Sequence, residues 1–211
     1  MKLNHYYTEM SMENPQNKID LRQEKKYLIP LSKIIIFEKK IINIGFKLNH
    51  FPNTINNIYF DTHSMKSATE NIEGDEKRAK YRIRWYNNDD KFVLEKKIKL
   101  SSSGYKEKQK LTSKDYKSAM LEVTDLINQK PVIKNSYFRK YYIKNDVRIT
   151  IDSDLKFYIP DSLVFKPFLK SVVEIKYSTT NIQEILDKIH VNTQLTKFSK
   201  YLQGLKAFGR I

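Results

Sequence analysis

The sequence predicts an α+β fold: a closed antiparallel β-barrel of about eight strands that encloses a basic tunnel, with helices packed outside. Three observations lead there. Apolar and polar residues alternate with period two in segment after segment, which is the signature of strands whose side chains point to opposite sides of a sheet. The polar members of each alternation are mostly Lys and Arg, so one face is cationic and the other apolar. The whole chain of 211 residues carries 39 Lys plus Arg against 24 Asp plus Glu, a formal charge of +15 that concentrates polyanions around it.

Taken in order, the first strand runs from Leu21 to Ile29, with Arg22, Glu24 and Lys26 on one side and Leu21, Tyr27 and Ile29 on the other. Residues 78–86 gather Arg78, Lys80, Arg82 and Arg84 opposite Ala79, Tyr81, Ile83 and Trp85. Phe92 to Leu100 aligns Glu95, Lys97 and Lys99, and Tyr105 to Leu111 aligns Lys106, Lys108 and Lys110, with Ser101 to Gly104 as the hairpin loop between them. Val147 to Asp152 groups Arg148, Thr150 and Asp152, and Val172 to Tyr177 groups Glu174 and Lys176. Two weaker alternations, 57–62 and 136–143, complete a set of about eight, enough to close and remove free edges.

Helix signals lie between the strands. Ser32 precedes the apolar run Ile34 to Ile42, which Gly45 ends; Thr112 with Asp115 and Thr180 with Gln183 read as capping boxes; a last helix covers Lys197 to Phe208. Without a linker or repeat, residues 19–211 read as one domain behind a polar tail, residues 1–18. There is no cysteine, which excludes disulfides and thiolate zinc sites, and no apolar run approaches the roughly 20 residues of a membrane span. A soluble, cytoplasmic chain is the expectation. His5, His50, His63 and His190 lack metal-ligand spacing.

One charged strand face is ordinarily a solvated face. Six of them dominated by one sign destabilise a sheet by crowding, unless a polyanion fills the enclosed space and accepts charge-assisted hydrogen bonds from Arg and Lys. An inverted barrel follows, charged inside and apolar outside beneath helices, in which removing an arginine relieves crowding and leaves stability level or higher.

The same residues carry a resemblance. Arg22-x-Glu24-x-Lys26, the string Ile58 to Thr62 (IYFDT), Arg82-Ile83-Arg84-Trp85-Tyr86, Glu95-Lys96-Lys97, Lys106-x-Lys108, Tyr137-Phe138-Arg139, Val147 to Asp152 (VRITID), Val173 to Tyr177 (VEIKY) and Lys197-Phe198-Ser199-Lys200 resemble, in order, the motif series of the VTC (vacuolar transporter chaperone) polyphosphate polymerase domain, within the triphosphate tunnel metalloenzymes. Lys108 stands where that series usually has arginine, which keeps the charge but loses the bidentate fork.

The resemblance implies a polyphosphate polymerase that passes the γ-phosphate of ATP to a phosphate chain, with Mn²⁺ or Mg²⁺ as cofactor, ATP and polyphosphate as partners, and membrane-associated partner proteins. It implies catalytic roles for Lys26, Arg82, Arg84, Lys97, Arg139 and Lys200, and phosphate binding by Arg22, Lys106, Lys108, Arg148, Lys176, Lys197 and Ser199. Glu174 becomes the metal ligand, with Glu24 and Glu95 as further candidates. Other readings stay open. Hydrolysis of triphosphates uses the same tunnel, a non-catalytic polyphosphate sensor uses the same cations, and Glu174 could simply balance Lys176. Trp85 and the tyrosines could stack the bases of single-stranded nucleic acid, although their alternation opposite the arginines favours core packing, and no nucleic acid is expected.

Overall fold

The computed structural model describes residues 23–101, 103–123, 128–178, 182–189 and 194–211. The polar tail, Arg22, Thr180 and His190 lie outside them. The strands are β1 (Gln23–Pro30), β2 (Lys47–Thr62), β3 (Lys77–Tyr86), β4 (Val93–Leu100), β5 (Ser103–Lys110), β6 (Gln129–Lys144), β7 (Val147–Tyr158), β8 (Phe165–Pro167), β9 (Lys170–Tyr177) and β10 (Gln194–Leu195). Five helices accompany them: α1 (Ile34–Asn43), α2 (Lys66–Glu73), α3 (Tyr116–Glu122), α4 (Ile182–Lys188) and α5 (Lys200–Ala207).

All the strands join one antiparallel sheet in the order β10-β1-β9-β7-β6-β2-β3-β4-β5, with β8 on the side of β7. The expected closed barrel is corrected here, because among the described residues no ladder joins β5 back to β1. The reason lies on the β1 edge, where Tyr27 and Leu28 pair with Leu195 and Gln194, and the Lys26 carbonyl accepts from the Thr196 amide at 2.9 Å. That edge is already occupied. The sheet nevertheless curls, bringing Lys97 of β4 within electrostatic range of Glu24 on β1, and Lys106 of β5 within range of Lys176 on β9. Charge, not backbone pairing, spans the seam.

The two weakest alternations become the two longest strands. β2 and β6 run 16 residues each and pair along most of their length, but β2 carries an extra residue between Leu48 and His50 and again between His50 and Asn53, and β6 carries one, Val132, opposite the Tyr59 to Phe60 step. Each bulge breaks the alternation that makes a strand legible.

The convex face is apolar and helix-covered, as expected. α1 and α4 lay Phe37, Ile41, Ile182 and Ile189 over Ile149, Ile151, Val173, Ile175 and Tyr177. α3 lays Ala119 and Val123 over Ile58, Ile83, Trp85 and Phe92. Asp115 caps α3 by accepting from the Lys117 and Ser118 amides, whereas Thr112 makes no capping box and instead donates its amide to Glu122. Ser32 is not a cap either: a 3-10 turn, Leu31–Lys33, leads into α1.

The concave face is not charged throughout. At one end α5 lies inside the curl, with Tyr201 and Leu205 against Tyr59 and Ile133, and with Phe198 and Phe208 in a second cluster with Leu28, Ile55, Leu155, Phe157 and Val172. This apolar floor spans β1, β9, β7, β6 and β2. Asp61, fully buried, ties it down by accepting from the Ser67 and Ala68 amides at the start of α2, at 2.9 and 3.0 Å, and from the Tyr201 hydroxyl of α5. α2 was not foreseen.

Gly204 sets how deeply α5 can sit. A Cβ there would meet Ile133 Cγ1 at 2.8 Å and Phe157 Cδ1 at 2.9 Å, both on fully buried side chains. The helix-propensity gain of replacing glycine, about 1 kcal/mol, is therefore opposed by overpacking of about 1–3 kcal/mol, and a branched side chain makes the second term dominate. Gly204→Val is expected to lower the melting temperature and to loosen α5, read as faster amide exchange in 200–207; an unchanged melting temperature would show that α5 is not seated this closely.

Candidate functional site

Above the floor the concave face is ionic. β3 contributes Lys80, Arg82 and Arg84 at successive inward positions, because its alternation is unbroken from residue 77 to 86. Across the ladder Arg82 faces Glu95 and Lys80 faces Lys97. Arg82 Nε donates to Glu95 Oε2 at 2.8 Å, Arg84 Nη1 lies 3.8 Å from the same oxygen, and Arg84 Nε donates to Asn57 at 2.8 Å. Glu95 is nearly sealed, at 4% exposure. Burial alone would raise its pKa, but Arg82 and Arg84 hold it at about 2.

A second network sits on β6, β7 and α5. Asp152 accepts from Arg139 Nε at 2.5 Å, from Arg139 Nη2 at 2.7 Å and from Lys200 Nζ at 2.5 Å. Burial opposes its charge, and the two cations reverse that and leave its pKa at about 2. Tyr137 lies beneath, with Lys200 Nζ 4.5 Å and Arg139 5.3 Å from its ring centre.

The third network joins β1 and β9. In the register of this pair, Glu24 faces Lys176 and Lys26 faces Glu174. The four side chains share one cluster: Lys176 Nζ is 3.4 Å from Glu24 and 3.5 Å from Glu174, and Lys26 Nζ is paired with Glu24 and 4.0 Å from Glu174. Burial raises the Glu24 pKa, but Lys26, Lys97 and Lys176 together bring it to about 2.

Between these networks stand lysines that, among the described residues, make no salt bridge of their own. Lys80 has its pKa pushed down to about 7 by burial and then by Lys97, Lys26, Arg78 and Arg82, and its Nζ reaches the Ser199 hydroxyl at 3.2 Å. Lys106 is pushed to about 8 by burial and then by Arg82, partly offset by Glu95. Lys97 is lowered too, by burial first and by Lys26 and Lys176, against the opposing pull of Glu24 and Glu174. Such depression means that the interior holds more positive charge than its carboxylates balance, which an anion would relieve.

The structure thus gathers Lys26, Arg82, Arg84, Lys97, Lys106, Arg139, Lys176, Ser199 and Lys200 around one concave space. Lys108 and Arg148 lie on the same face, exposed as Lys97 and Lys106 also are, and are register partners of Glu95 and Lys176 respectively. Lys197 is exposed ahead of α5, and Ser199 caps that helix by accepting from the Leu202 amide, so the α5 N-terminus points into the cations.

Glu95 does not join the metal candidates, since Arg82 and Arg84 occupy it. Among the described residues no three acidic or histidine side chains gather as a metal cage. The pair Glu24 and Glu174 does fit the manner in which Mg²⁺ and similar hard cations are held by one or two carboxylates, with phosphate oxygens completing the shell.

Sequence reasoning passed over Lys80 as a site residue, although it stands in the β3 alternation, and gave Asp152 and Asp61 no role. It placed Trp85, Tyr27, Tyr81 and Tyr177 opposite the arginines, where they are, but not every tyrosine follows them. Trp85 is buried beneath α3 as expected, stacked on Tyr116, but Tyr59, Tyr86, Tyr137 and Tyr141 share the face of the arginines. Tyr86 was legible from the alternation of β3 itself, two residues after Arg84, and Tyr59 faces Arg82 across the ladder; the other two depend on the register of a bulged strand.

No helix among the described residues is long and apolar enough to cross a membrane. Among curated proteins no sequence matches this chain. Solved structures do. A candidate adenylate cyclase from Bacillus halodurans matches with a TM-score of 0.59 at 15% identity, covering 90% of this chain and 98% of its own. The PH1012 protein of Pyrococcus horikoshii matches at 0.58 and 16%, covering 86% and 99%, and the PH1819 protein of the same organism at 0.57 and 16%, covering 89% and 98%. At such identities these show the fold. The family model of the VTC domain matches residues 21–129 and 115–208, a span that takes in all three ionic networks and the α5 floor. This chain belongs to the VTC domain family.

Proposed function

We propose that this protein is a metal-dependent phosphotransferase that moves the γ-phosphate of ATP onto the end of a polyphosphate chain held in the curled sheet. The observation that supports it is the excess of cations over carboxylates on one enclosed face, within a chain matched by the VTC model. In the step, an oxygen of the chain terminus forms a bond to the γ-phosphorus, the bond to the β,γ-bridging oxygen breaks, and ADP leaves with that oxygen. No protein nucleophile is needed. The work is positioning and charge neutralisation.

In this reading Arg82 and Arg84 hold equatorial phosphate oxygens, fixed in aim by Glu95 and Asn57. Arg139 and Lys200, oriented by Asp152, hold the opposite side, and Lys26, Lys97, Lys106 and Lys176 line the rest. Lys80 and the capped start of α5 bind the deepest phosphate. Glu174, with Glu24, would hold Mn²⁺ or Mg²⁺, which supplies charge neutralisation across the phosphates. Hydrolysis is the second reading, favoured by the apolar floor: with one end filled by α5, a phosphate chain has fewer routes in than water does.

Incubation with ATP, Mn²⁺ and a short polyphosphate primer separates the two. Synthesis gives a ladder of lengthening chains with ADP released in step; orthophosphate as sole product, with a shrinking or unchanged primer, establishes hydrolysis instead. Glu174→Gln is expected to abolish metal-dependent turnover while leaving tripolyphosphate binding largely intact, and full turnover at saturating Mn²⁺ would remove Glu174 from the metal site.

Arg82→Ala is expected to weaken tripolyphosphate binding on the order of 10- to 100-fold, from charge-assisted bonds of about 1.5–3 kcal/mol. Its melting temperature should fall, contrary to the relief of crowding expected from sequence, because Glu95 would lose its main partner while buried. Unchanged affinity would make the arginine structural.

Lys80 gives a pH signature. Its depressed pKa, about 7, leaves it largely neutral at pH 8, and a bound polyanion favours its charged form, so binding takes up a proton and affinity falls as pH rises through 7 to 9. Titration calorimetry at pH 8 in buffers of different ionisation enthalpy should show proton uptake that shrinks in Lys80→Met; equal uptake in both proteins contradicts the assignment.

A further inference from the structure

The floor leaves a nucleotide one orientation. Phosphates seek the cations, while the base and sugar are uncharged and bulky, and α5 fills the end beyond Tyr59 and Ile133. A nucleoside triphosphate bound in the cations therefore keeps its base at the opposite, open end, the end of β6 beyond Arg139.

That end is aromatic. Tyr141 follows Arg139 by two residues on the inner face of β6, and its ring centre lies 5.9 Å from the Arg139 guanidinium. His50 of β2 is its register partner, with ring centres 3.8 Å apart. His50 is exposed and Tyr141 half-buried, so the pair presents ring surface to solvent at the mouth. Tyr86, 37% exposed, ends the inward row of β3 after Arg84 and lies within electrostatic range of the Tyr141 hydroxyl, which bonds to the Asn53 side chain. The β2 bulge between His50 and Asn53 is what turns His50 toward this mouth.

None of these rings is needed by the core. The convex clusters beneath α1, α3 and α4 and the floor beneath α5 are built without His50, Tyr86 and Tyr141. They are rings standing next to Arg139, at the end opposite the one that α5 fills among the described residues. We infer that His50, Tyr141 and Tyr86 form a stacking platform for the base of a nucleoside triphosphate, so that the preferred small substrate is a nucleotide and not inorganic triphosphate.

Stacking uses the π-face common to all bases, so the platform favours nucleotides as a class without choosing among them. The inference rests on the tunnel reading, and the test separates the two. Titration calorimetry compares the β,γ-imido analogue of ATP with inorganic tripolyphosphate. Wild type is expected to bind the nucleotide more tightly. His50→Ala and Tyr141→Leu should each lower nucleotide affinity about 5- to 100-fold, the range that one stacked base is worth, with tripolyphosphate affinity within about twofold for His50→Ala, and Tyr141→Phe should restore nucleotide binding. Equal wild-type affinity for both ligands, or equal losses for both in His50→Ala, overturns the platform and leaves the tunnel standing. Failure of wild type to bind either ligand overturns both.

Discussion

Like-charge repulsion inside the curl governs this protein. Three cations on β3, two on β1 and β9, and others on β4, β5, β6 and α5 converge on one concave surface, and in a half-dry interior they repel far more strongly than on an open face. The chain answers with a few carboxylates, each placed between two cations: Glu95 between Arg82 and Arg84, Asp152 between Arg139 and Lys200, and Glu24 and Glu174 between Lys26 and Lys176. Each carboxylate thus does two things. It lowers the repulsion that the fold must bear, and it fixes the aim of the cations that a phosphate meets.

The distribution is uneven, and the unevenness matters. Where a carboxylate is sealed between guanidiniums, as Glu95 is, it belongs to the protein's own balance and has little left for a metal. Where it shares lysine ammonium groups at 3.5 and 4.0 Å, as Glu174 does, it is held less tightly by the protein's own cations. The same local chemistry, Glu beside Lys or Arg on alternating strand positions, therefore yields different roles according to burial and to whether the partner is a fork or a point charge.

Alternation made the inner faces of β1, β3, β4, β5 and β9 and the first half of β7 legible in the sequence, and with them most of the ionic site, because a period of two, while it lasts, assigns each side chain to one face. It failed where the period breaks. The bulges of β2 hid its length and moved His50, and Asp154, at φ +51, shifts β7 so that Asp152 and then Leu155 and Phe157 all line the concave side. An apolar floor was consequently invisible, since the alternation read from Val147 stops at Asp152, before Leu155 and Phe157. Closure failed for a different reason: nothing in a strand's own pattern says which neighbour takes its edge, and β10, two residues long, took that of β1.

The floor also explains why α5 can belong to both the core and the site. Its C-terminal half is held by packing, with Gly204 allowing the backbone to approach Ile133 and Phe157, and by the Tyr201 bond to Asp61, which in turn anchors α2. Its first turn, by contrast, carries Ser199 and Lys200 into the cations, where Asp152 receives the lysine. A helix fixed at one end by shape and at the other by charge transmits position between them. Displacing its packed half would draw Lys200 away from Asp152 and free Arg139 to turn, and the same packing reaches the cations directly, since Tyr59 stacks on Tyr201 while accepting from Arg82, and Tyr137 joins the cluster of Phe198 and Phe208.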